Sequence, residues 1–145
     1  MHPLPVAEEE IKEMVDAETK AWSSQDVDKL LDLFYLDMVW PWPMTVQSHD
    51  PVDWIFELGR FDRNRWKKVW TELFDSYRLF HNIRTIQKIV VSKQGDGAFA
   101  VVDVDTLWKR RDDGTDFHWK GRACKIYTKV GEEWKMIAHT GLLLY

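Results

Sequence analysis

The hydrophobic pattern changes its period near residue 77, and this change constrains the fold more than any other feature of the sequence. Before residue 77, apolar residues recur at helical spacing. The clearest stripe is Trp66, Val69, Trp70, Leu73, Phe74 and Tyr77. After it, apolar and polar residues alternate in four segments, at 80–92, 98–110, 117–130 and 134–144. Their connections have the length and glycine content of hairpin turns. Helices followed by an antiparallel meander predict an α+β fold.

Local signals divide the first half of the chain into shorter elements. A helix is predicted over residues 8–24, and residues 1–7 are expected to form a flexible tail on one domain spanning 1–145. Asp26 and Asp62 are predicted N-caps of a second and a later, longer helix. A short strand over 36–42 ends at prolines, and a further helix is predicted from Asp50-Pro51 to Gly59.

Composition excludes several classes of protein. The 20 Lys and Arg residues against 24 Asp and Glu give a net charge of −4, which argues against nucleic acid or an anionic membrane as partner. Cys124 is the only cysteine, so a disulfide within the chain and a cysteine-based zinc cluster are excluded. With no apolar run of membrane-spanning length and no leader pattern, the expectation is a cytoplasmic protein.

The order of predicted elements, and two sequence stretches, resemble the nuclear transport factor two-like superfamily. The stretches are Trp-Ser-Ser-Gln-Asp-Val-Asp-Lys-Leu-Leu-Asp-Leu-Phe at 22–34 and Gly-Glu-Glu-Trp-Lys-Met-Ile-Ala-His-Thr at 131–140. Within this superfamily, the sequence most resembles SnoaL-like polyketide cyclases and the association domain of calcium/calmodulin-dependent kinase II. The resemblance implies a cone-shaped, strongly curved antiparallel sheet wrapped by three to four N-terminal helices, as in cystatin-like folds. Its ketosteroid isomerase-like and scytalone dehydratase-like catalytic patterns have no match here, so no family catalytic residue is assigned.

Nine tryptophans in 145 residues suggest an aromatic core, cavity or interface. Trp22, Trp66 and Trp70 fall on helical core stripes, and three others lie on strands that serve a core or a dimer face. Trp40 and Trp42, in a Trp-Pro-Trp strand, and Trp54 remain as candidates for the mouth of an aromatic ligand pocket. Packing of Trp40 against the long helix is the alternative.

Asp103 and Asp105 alternate along one strand and share a face of the predicted sheet. A carboxylate with a raised pKa could serve as a general base there, and His139 in the last strand is its candidate acid/base partner. His118 is a further catalytic candidate. The alternatives are cross-strand ion pairs for the aspartates and a hydrogen-bonded core histidine for His139.

Two further side chains are candidate ligand contacts. Arg122 belongs to a cationic row that could bind an anion, and His81 is placed at the cavity mouth or against a backbone group. Gly121 suggests a bulge or a sharp bend, and a bulge would change the face of every later residue in its strand.

These features predict a small-molecule-binding protein with an apolar, tryptophan-lined cavity. Its chemistry would be isomerisation, cyclisation or dehydration by acid/base groups, without a cofactor. No metal site is predicted, because the histidines lack His-x-His and His-Glu-x-x-His spacing. The ligand is expected to be apolar or aromatic with a polar group, and the sheet face is expected to form a homodimer. The alternative is a non-catalytic assembly or ligand-sensing domain.

Overall fold

A computed structural model describes residues 4–42 and 60–143 of the chain. Within these ranges the helices are α1 (Leu4–Ser23), α2 (Val27–Asp32) and α3 (Arg63–Ser76). The strands are β1 (Phe34–Val39), β2 (Tyr77–Val91), β3 (Gly97–Arg110), β4 (Asp116–Val130) and β5 (Glu133–Leu143). The helix predicted from Asp50 to Gly59 lies outside the described residues. None of the helices in the described ranges is long and apolar enough to cross a membrane.

Helices α2 and α3 begin at their predicted N-caps, whereas α1 begins earlier than predicted. The Asp26 carboxylate accepts a hydrogen bond from the backbone N–H of Lys29, and the Asp62 carboxylate accepts one from that of Arg65. Both predicted N-caps are therefore confirmed. Helix α1, however, begins at Leu4, and Ala7 is fully buried in the core. The prediction of a flexible tail is therefore wrong for residues 4–7, because burial of Ala7 extends the helix toward the N-terminus.

The sheet has the order β1-β5-β4-β3-β2 and is not closed. Strands β2 to β5 form the predicted antiparallel meander. The expectation of a wholly antiparallel sheet is wrong at one edge, where β1 runs parallel to β5. A crossover that includes α3 separates these two strands in the chain, and only such a connection permits parallel pairing.

The two faces of the sheet have different roles. Helices α1 and α3 cover the inner face, where alternate residues of β3 and β4 are buried. Trp108, Tyr127 and Met136 belong to this core. The outer face mixes charged, histidine and apolar side chains, and Phe99 and Ile126 are partly exposed on it.

Register shifts interrupt β2 twice and β5 once, and two of these bulges set the faces of His81 and His139. In β2, Leu79 pairs with Trp108 and His81 pairs with Leu107, so Phe80 is the extra residue. In β5, Met136 pairs with Tyr127 and Ala138 pairs with Ile126, so Ile137 is the extra residue. Because a bulge shifts the alternation by one, His81 points to the outer face and His139 to the inner face.

Of the two interpretations of Gly121, a bulge or a sharp bend, the structure excludes the bulge. Strands β3 and β4 pair without a register shift from Gly97 to Lys109, and Gly121 pairs with Val104 in the middle of that ladder. The faces of His118 and Arg122 therefore follow simple alternation, and both lie on the outer face.

Candidate ligand-binding site

A cavity of about 450 Å³ lies between the inner face of the sheet and the helices. Its wall is largely aromatic, with an indole from α1, one from α3, one from β4 and two from the segment around β1. These five tryptophans are Trp22, Trp40, Trp42, Trp70 and Trp119. The polar residues that line the cavity include Arg84 and His139. Glu72 lines it too, but its side chain is exposed to solvent. A cavity of this size and lining suits a small aromatic molecule.

The aromatic wall is a continuous network of edge-to-face and tilted contacts. Trp22 contacts Trp70 and Trp119 with ring centroids 5.1 and 5.5 Å apart, and Trp40 contacts Trp70 at 5.3 Å. Such packing restricts the indoles to one arrangement. Trp40 and Trp42 line the cavity as expected, whereas Trp54 lies outside the described residues. Trp22 and Trp70, assigned to the core by their stripes, line the cavity as well.

Trp42 is seated against the backbone of β5 at Gly141. A Cβ built on Gly141 would overlap the six-membered ring of Trp42. Glycine is therefore required at this position for the indole to lie as it does. The contact fixes Trp42 beside His139, with ring centroids 5.3 Å apart.

His139 is buried among these indoles. Its ring stacks on Trp40 with centroids 3.6 Å apart and planes inclined by 5°. Burial lowers the pKa of His139 well below its usual value, and the charges of Lys125 and Arg84 lower it further. Its Nδ1 atom is buried and makes no hydrogen bond to any residue in the described ranges. The structure thus places a buried, neutral imidazole in the wall of the cavity.

A buried charge cluster lies behind the aromatic wall. The Lys125 ammonium donates to Glu18 at 2.9 Å, and the Trp22 indole N–H donates to the same carboxylate at 3.0 Å. The side chains of Lys125 and Glu18 are each 1% exposed. The Arg84 Nη1 atom lies 3.8 Å from Glu18, beyond direct hydrogen-bond distance.

At neutral pH the charged groups of this cluster carry more positive than negative charge. Burial alone would raise the pKa of Glu18, but Lys125, Arg84 and the hydrogen bond from Trp22 outweigh it and lower that pKa. Burial lowers the pKa of Lys125 to about 8, against the opposing attraction of Glu18. Burial also lowers the pKa of Arg84, but a guanidinium stays charged at neutral pH. In the part of the chain that the structure describes, two cations therefore face one carboxylate.

Neighbouring polar groups orient the Arg84 guanidinium at the cavity wall. Its Nε donates to Asn82 Oδ1 at 2.8 Å and its Nη2 donates to Thr106 Oγ1 at 3.3 Å. Asn82 in turn donates to the Thr19 carbonyl and the Ser23 hydroxyl of α1. The side chain of Arg84 is only 5% exposed, so its position is set by this network.

The predicted pairing of Asp105 with His139 is wrong. Val104 lines the cavity, so its neighbour Asp105 points to the outer face, and the bulge at Ile137 turns His139 inward. Asp105 Oδ1 instead lies 2.8 Å from His81 Nε2 and 2.6 Å from His118 Nε2. These hydrogen bonds, first from His118 and then from His81, lower the pKa of Asp105. His81 and His118 therefore lie outside the cavity too.

Asp103 and Arg122 also lie on the outer face. Arg122 donates to both oxygens of Asp103, from Nε at 2.7 Å and from Nη2 at 3.1 Å, and Gln87 donates to Asp103 at 2.6 Å. Asp103 and Arg122 are direct cross-strand partners in the ladder. The alternative of a cross-strand ion pair is thus confirmed for both, and neither lines the cavity. Of the candidates in the described ranges, Trp40, Trp42 and His139 share the cavity.

Glu18, Arg84 and Lys125 were not predicted as site residues. One of them carries a readable signal, because Glu18 falls on the core stripe of α1, seven residues after Ile11 and four before Trp22. A carboxylate on a buried stripe indicates a buried partner of opposite charge. Arg84 and Lys125 carry no comparable signal, since each alternates with neighbours of mixed polarity on its strand.

Because His139 is buried as a neutral imidazole, we expect the free energy of unfolding to decrease in acid. The unfolded state binds a proton at His139 near pH 6.5 and the folded state does not, so the free energy of unfolding falls as pH drops below about 6.5. We expect a slope of up to about 1.4 kcal/mol per pH unit from this group. Urea unfolding of wild type and His139→Phe from pH 7 to 5 measures it. The variant, which keeps a stacked ring, should show a shallower dependence. Parallel profiles would contradict the assignment.

Comparison with known proteins shows the fold and no closer relationship. No protein-family model matches the chain, and no curated protein sequence matches it. Solved structures do match. A ketosteroid isomerase-like protein from Erwinia carotovora atroseptica is 14% identical with a TM-score of 0.70, covering 94% of this chain and 95% of that one.

Two further structures extend the range of functions among similar folds. A protein provisionally assigned as a scytalone dehydratase, from Novosphingobium aromaticivorans, is 14% identical with a TM-score of 0.69, covering 94% of this chain and 83% of its own. A provisionally assigned calcium/calmodulin-dependent kinase II association domain, from Exiguobacterium sibiricum, is 14% identical with a TM-score of 0.68, covering 100% and 98%. Others are described as nuclear transport factor two-like. The chain therefore has the nuclear transport factor two-like α+β fold.

Proposed function

We propose that this protein binds a small planar aromatic molecule that carries a carboxylate or another anionic group. The observation that carries the proposal is the buried positive excess of Arg84 and Lys125 over Glu18 at the wall of an aromatic cavity. An uncompensated buried cation is costly unless an anion joins it. A ligand anion at Arg84 would supply that charge.

The remaining groups of the cavity fit the same ligand. Aromatic rings pack well against indoles in offset or edge-to-face contacts, and five tryptophans supply them here. His139 lines the same cavity, stacked on Trp40, and would supply a hydrogen bond to the ligand. The similar folds include proteins described as ketosteroid isomerase-like and as a scytalone dehydratase, which supports a small molecule as the occupant.

His139 is the proposed acid/base group of any reaction in the cavity. Burial and the charges of Lys125 and Arg84 make it a weak base in the empty cavity. A bound anion would offset these charges and raise the pKa of His139, so that it could take a proton from the ligand and return it elsewhere. Isomerisation, cyclisation or dehydration needs no more than such proton movement. Asp105 and His118 have no part in this proposal, because they lie on the opposite face of the sheet.

A pair of matched probes tests the proposal. 2-Naphthoate and naphthalene-2-methanol have the same ring system and differ in charge. Quenching of intrinsic tryptophan fluorescence on titration reports binding of either. We expect saturable binding of both and a preference for naphthoate of about tenfold, the usual worth of a charged hydrogen bond. Equal affinities, or no binding of either probe, would contradict the proposal.

We also propose that the chain forms a homodimer through the apolar part of the outer face, around Phe99 and Ile126. These side chains are 39% and 37% exposed, and a similar fold is provisionally assigned as an association domain. Exposed apolar groups on a sheet favour contact with a second copy.

Sedimentation equilibrium of wild type and a Phe99→Glu/Ile126→Glu variant tests the dimer. The wild type should sediment as a dimer and the variant as a monomer, because two charges per copy would be buried. Val6→Glu places a charge at an exposed apolar residue of α1 and serves as the control. A monomeric wild type, or a dimeric double variant, would exclude this interface.

A further inference from the structure

The outer face contains a cluster that the cavity does not use. His81, Asp105 and His118 come from three adjacent strands, and both imidazole Nε2 atoms aim at the same oxygen, Asp105 Oδ1. No sequence motif predicts this, since the three residues are 24 and 13 positions apart. The bulge at Phe80 is what turns His81 outward to join the other two.

We propose that this cluster is a site for one divalent transition-metal ion of the Zn²⁺ type. Two imidazole nitrogens and one carboxylate oxygen form the mixed ligand set that such ions prefer. The three donor atoms all lie within 4.8 Å of one another. Tetrahedral coordination with bonds of about 2.0–2.1 Å needs donors about 3.3 Å apart. The two Nε2 atoms lie 2.8 and 2.6 Å from Asp105 Oδ1, so both would move away from this oxygen to admit the ion.

Access and charge agree with this assignment. The side chains of His81 and Asp105 are each 32% exposed and that of His118 is 40% exposed, so a hydrated ion can reach the donors. As metal ligands, two uncharged imidazoles and one carboxylate would bring a charge of −1 to the ion, which favours a cation. Lys120 pairs with Asp105 across the ladder, but its side chain is exposed, and solvent weakens its repulsion.

Three protein ligands leave at least one coordination position open. In zinc sites this arrangement holds a water or an external ligand, whereas structural sites take four protein ligands. The proposed dimer contact at Phe99 and Ile126 lies toward the other end of strands β3 and β4. The metal site and the dimer can therefore exist together, and the site is independent of the cavity on the inner face.

Calorimetric titration of the chelator-treated protein with Zn²⁺ tests the proposal. We expect one Zn²⁺ per chain, and at least about tenfold weaker binding in each of His81→Ala, Asp105→Ala and His118→Ala. Asp103→Asn, on the same face, and His139→Phe, on the other, should bind as the wild type does. Absence of binding would overturn the site. Equal binding by all variants would show an adventitious ion only and would overturn it too.

Co²⁺ provides a second readout that needs no variant. Replacement of hexa-aqua Co²⁺ by a four-coordinate site with nitrogen donors strengthens and shifts its visible absorption. The wild-type protein should produce this change, saturating at one ion per chain. A spectrum that stays that of the aqua ion would contradict the site even if Zn²⁺ binds elsewhere.

Discussion

Glu18→Gln should destabilise the protein by about 3–5 kcal/mol at pH 7, the largest effect we expect from a single substitution. Glutamine keeps the shape of the side chain and can still accept from Trp22. It removes the carboxylate that, within residues 4–42 and 60–143, faces the buried cations Lys125 and Arg84. Neutralising one partner of a buried ion pair leaves the other charge buried without compensation, which is strongly destabilising. Replacing both partners by apolar groups is far less costly. Urea unfolding with linear extrapolation measures the difference.

Two controls separate the buried charge from other effects. Glu9→Gln removes a carboxylate from the same helix, where it pairs with Lys12 in solvent, and should cost less than about 1 kcal/mol. Glu18→Met/Lys125→Met replaces both members of the pair by apolar groups and should be more stable than Glu18→Gln. If the buried and exposed substitutions cost the same, the charge cluster has no special role in stability.

Arg84→Met should weaken binding of 2-naphthoate by about tenfold to a hundredfold, the second large effect. The guanidinium is the cation that lines the cavity, and methionine keeps an apolar chain of similar length. Glu18 and Lys125 remain paired in this variant, so the fold should persist. Fluorescence titration gives the two dissociation constants.

Naphthalene-2-methanol serves as the internal control for Arg84→Met. Its affinity should change little, because an uncharged ligand gains nothing from the charge of Arg84. Arg84→Lys should recover part of the preference for naphthoate, since it restores a cation without the planar fork. A variant that loses both ligands equally would indicate a damaged cavity and would count against an anion site.

The sequence was sufficient for the α+β order, the two aspartate caps and the meander from Tyr77 onward. These depend on periodicity and capping, which are local properties. Trp40 and Trp42 were candidates for the mouth of a pocket because the Trp-Pro-Trp sequence is locally unusual, and the structure places both at the cavity. Strand β1 was predicted, but its parallel pairing with β5 was not, because the partner is about 100 residues away in the chain.

The site residues were harder to predict because bulges are not visible in the alternation. Asp105 and His139 were paired on the assumption of a regular β5, and one extra residue at Ile137 puts them on opposite faces. The same effect at Phe80 brings His81 to Asp105. Glu18 was recognisable from its core stripe, whereas Arg84 and Lys125 depend on contacts of β2 and β4 with helix α1, which is distant from them in the chain.

The indole N–H signals in a two-dimensional ¹H–¹⁵N spectrum, recorded while 2-naphthoate is added, test the central claim most directly. The chain has nine tryptophans, and Trp→Phe variants assign their signals. We predict that the signals of cavity-lining Trp40, Trp42 and Trp119 shift on binding, while that of Trp134, which does not line the cavity, stays in place. Shifts confined to Trp134, or none at all at saturating naphthoate, would contradict an anion-binding aromatic cavity on the inner face of the sheet.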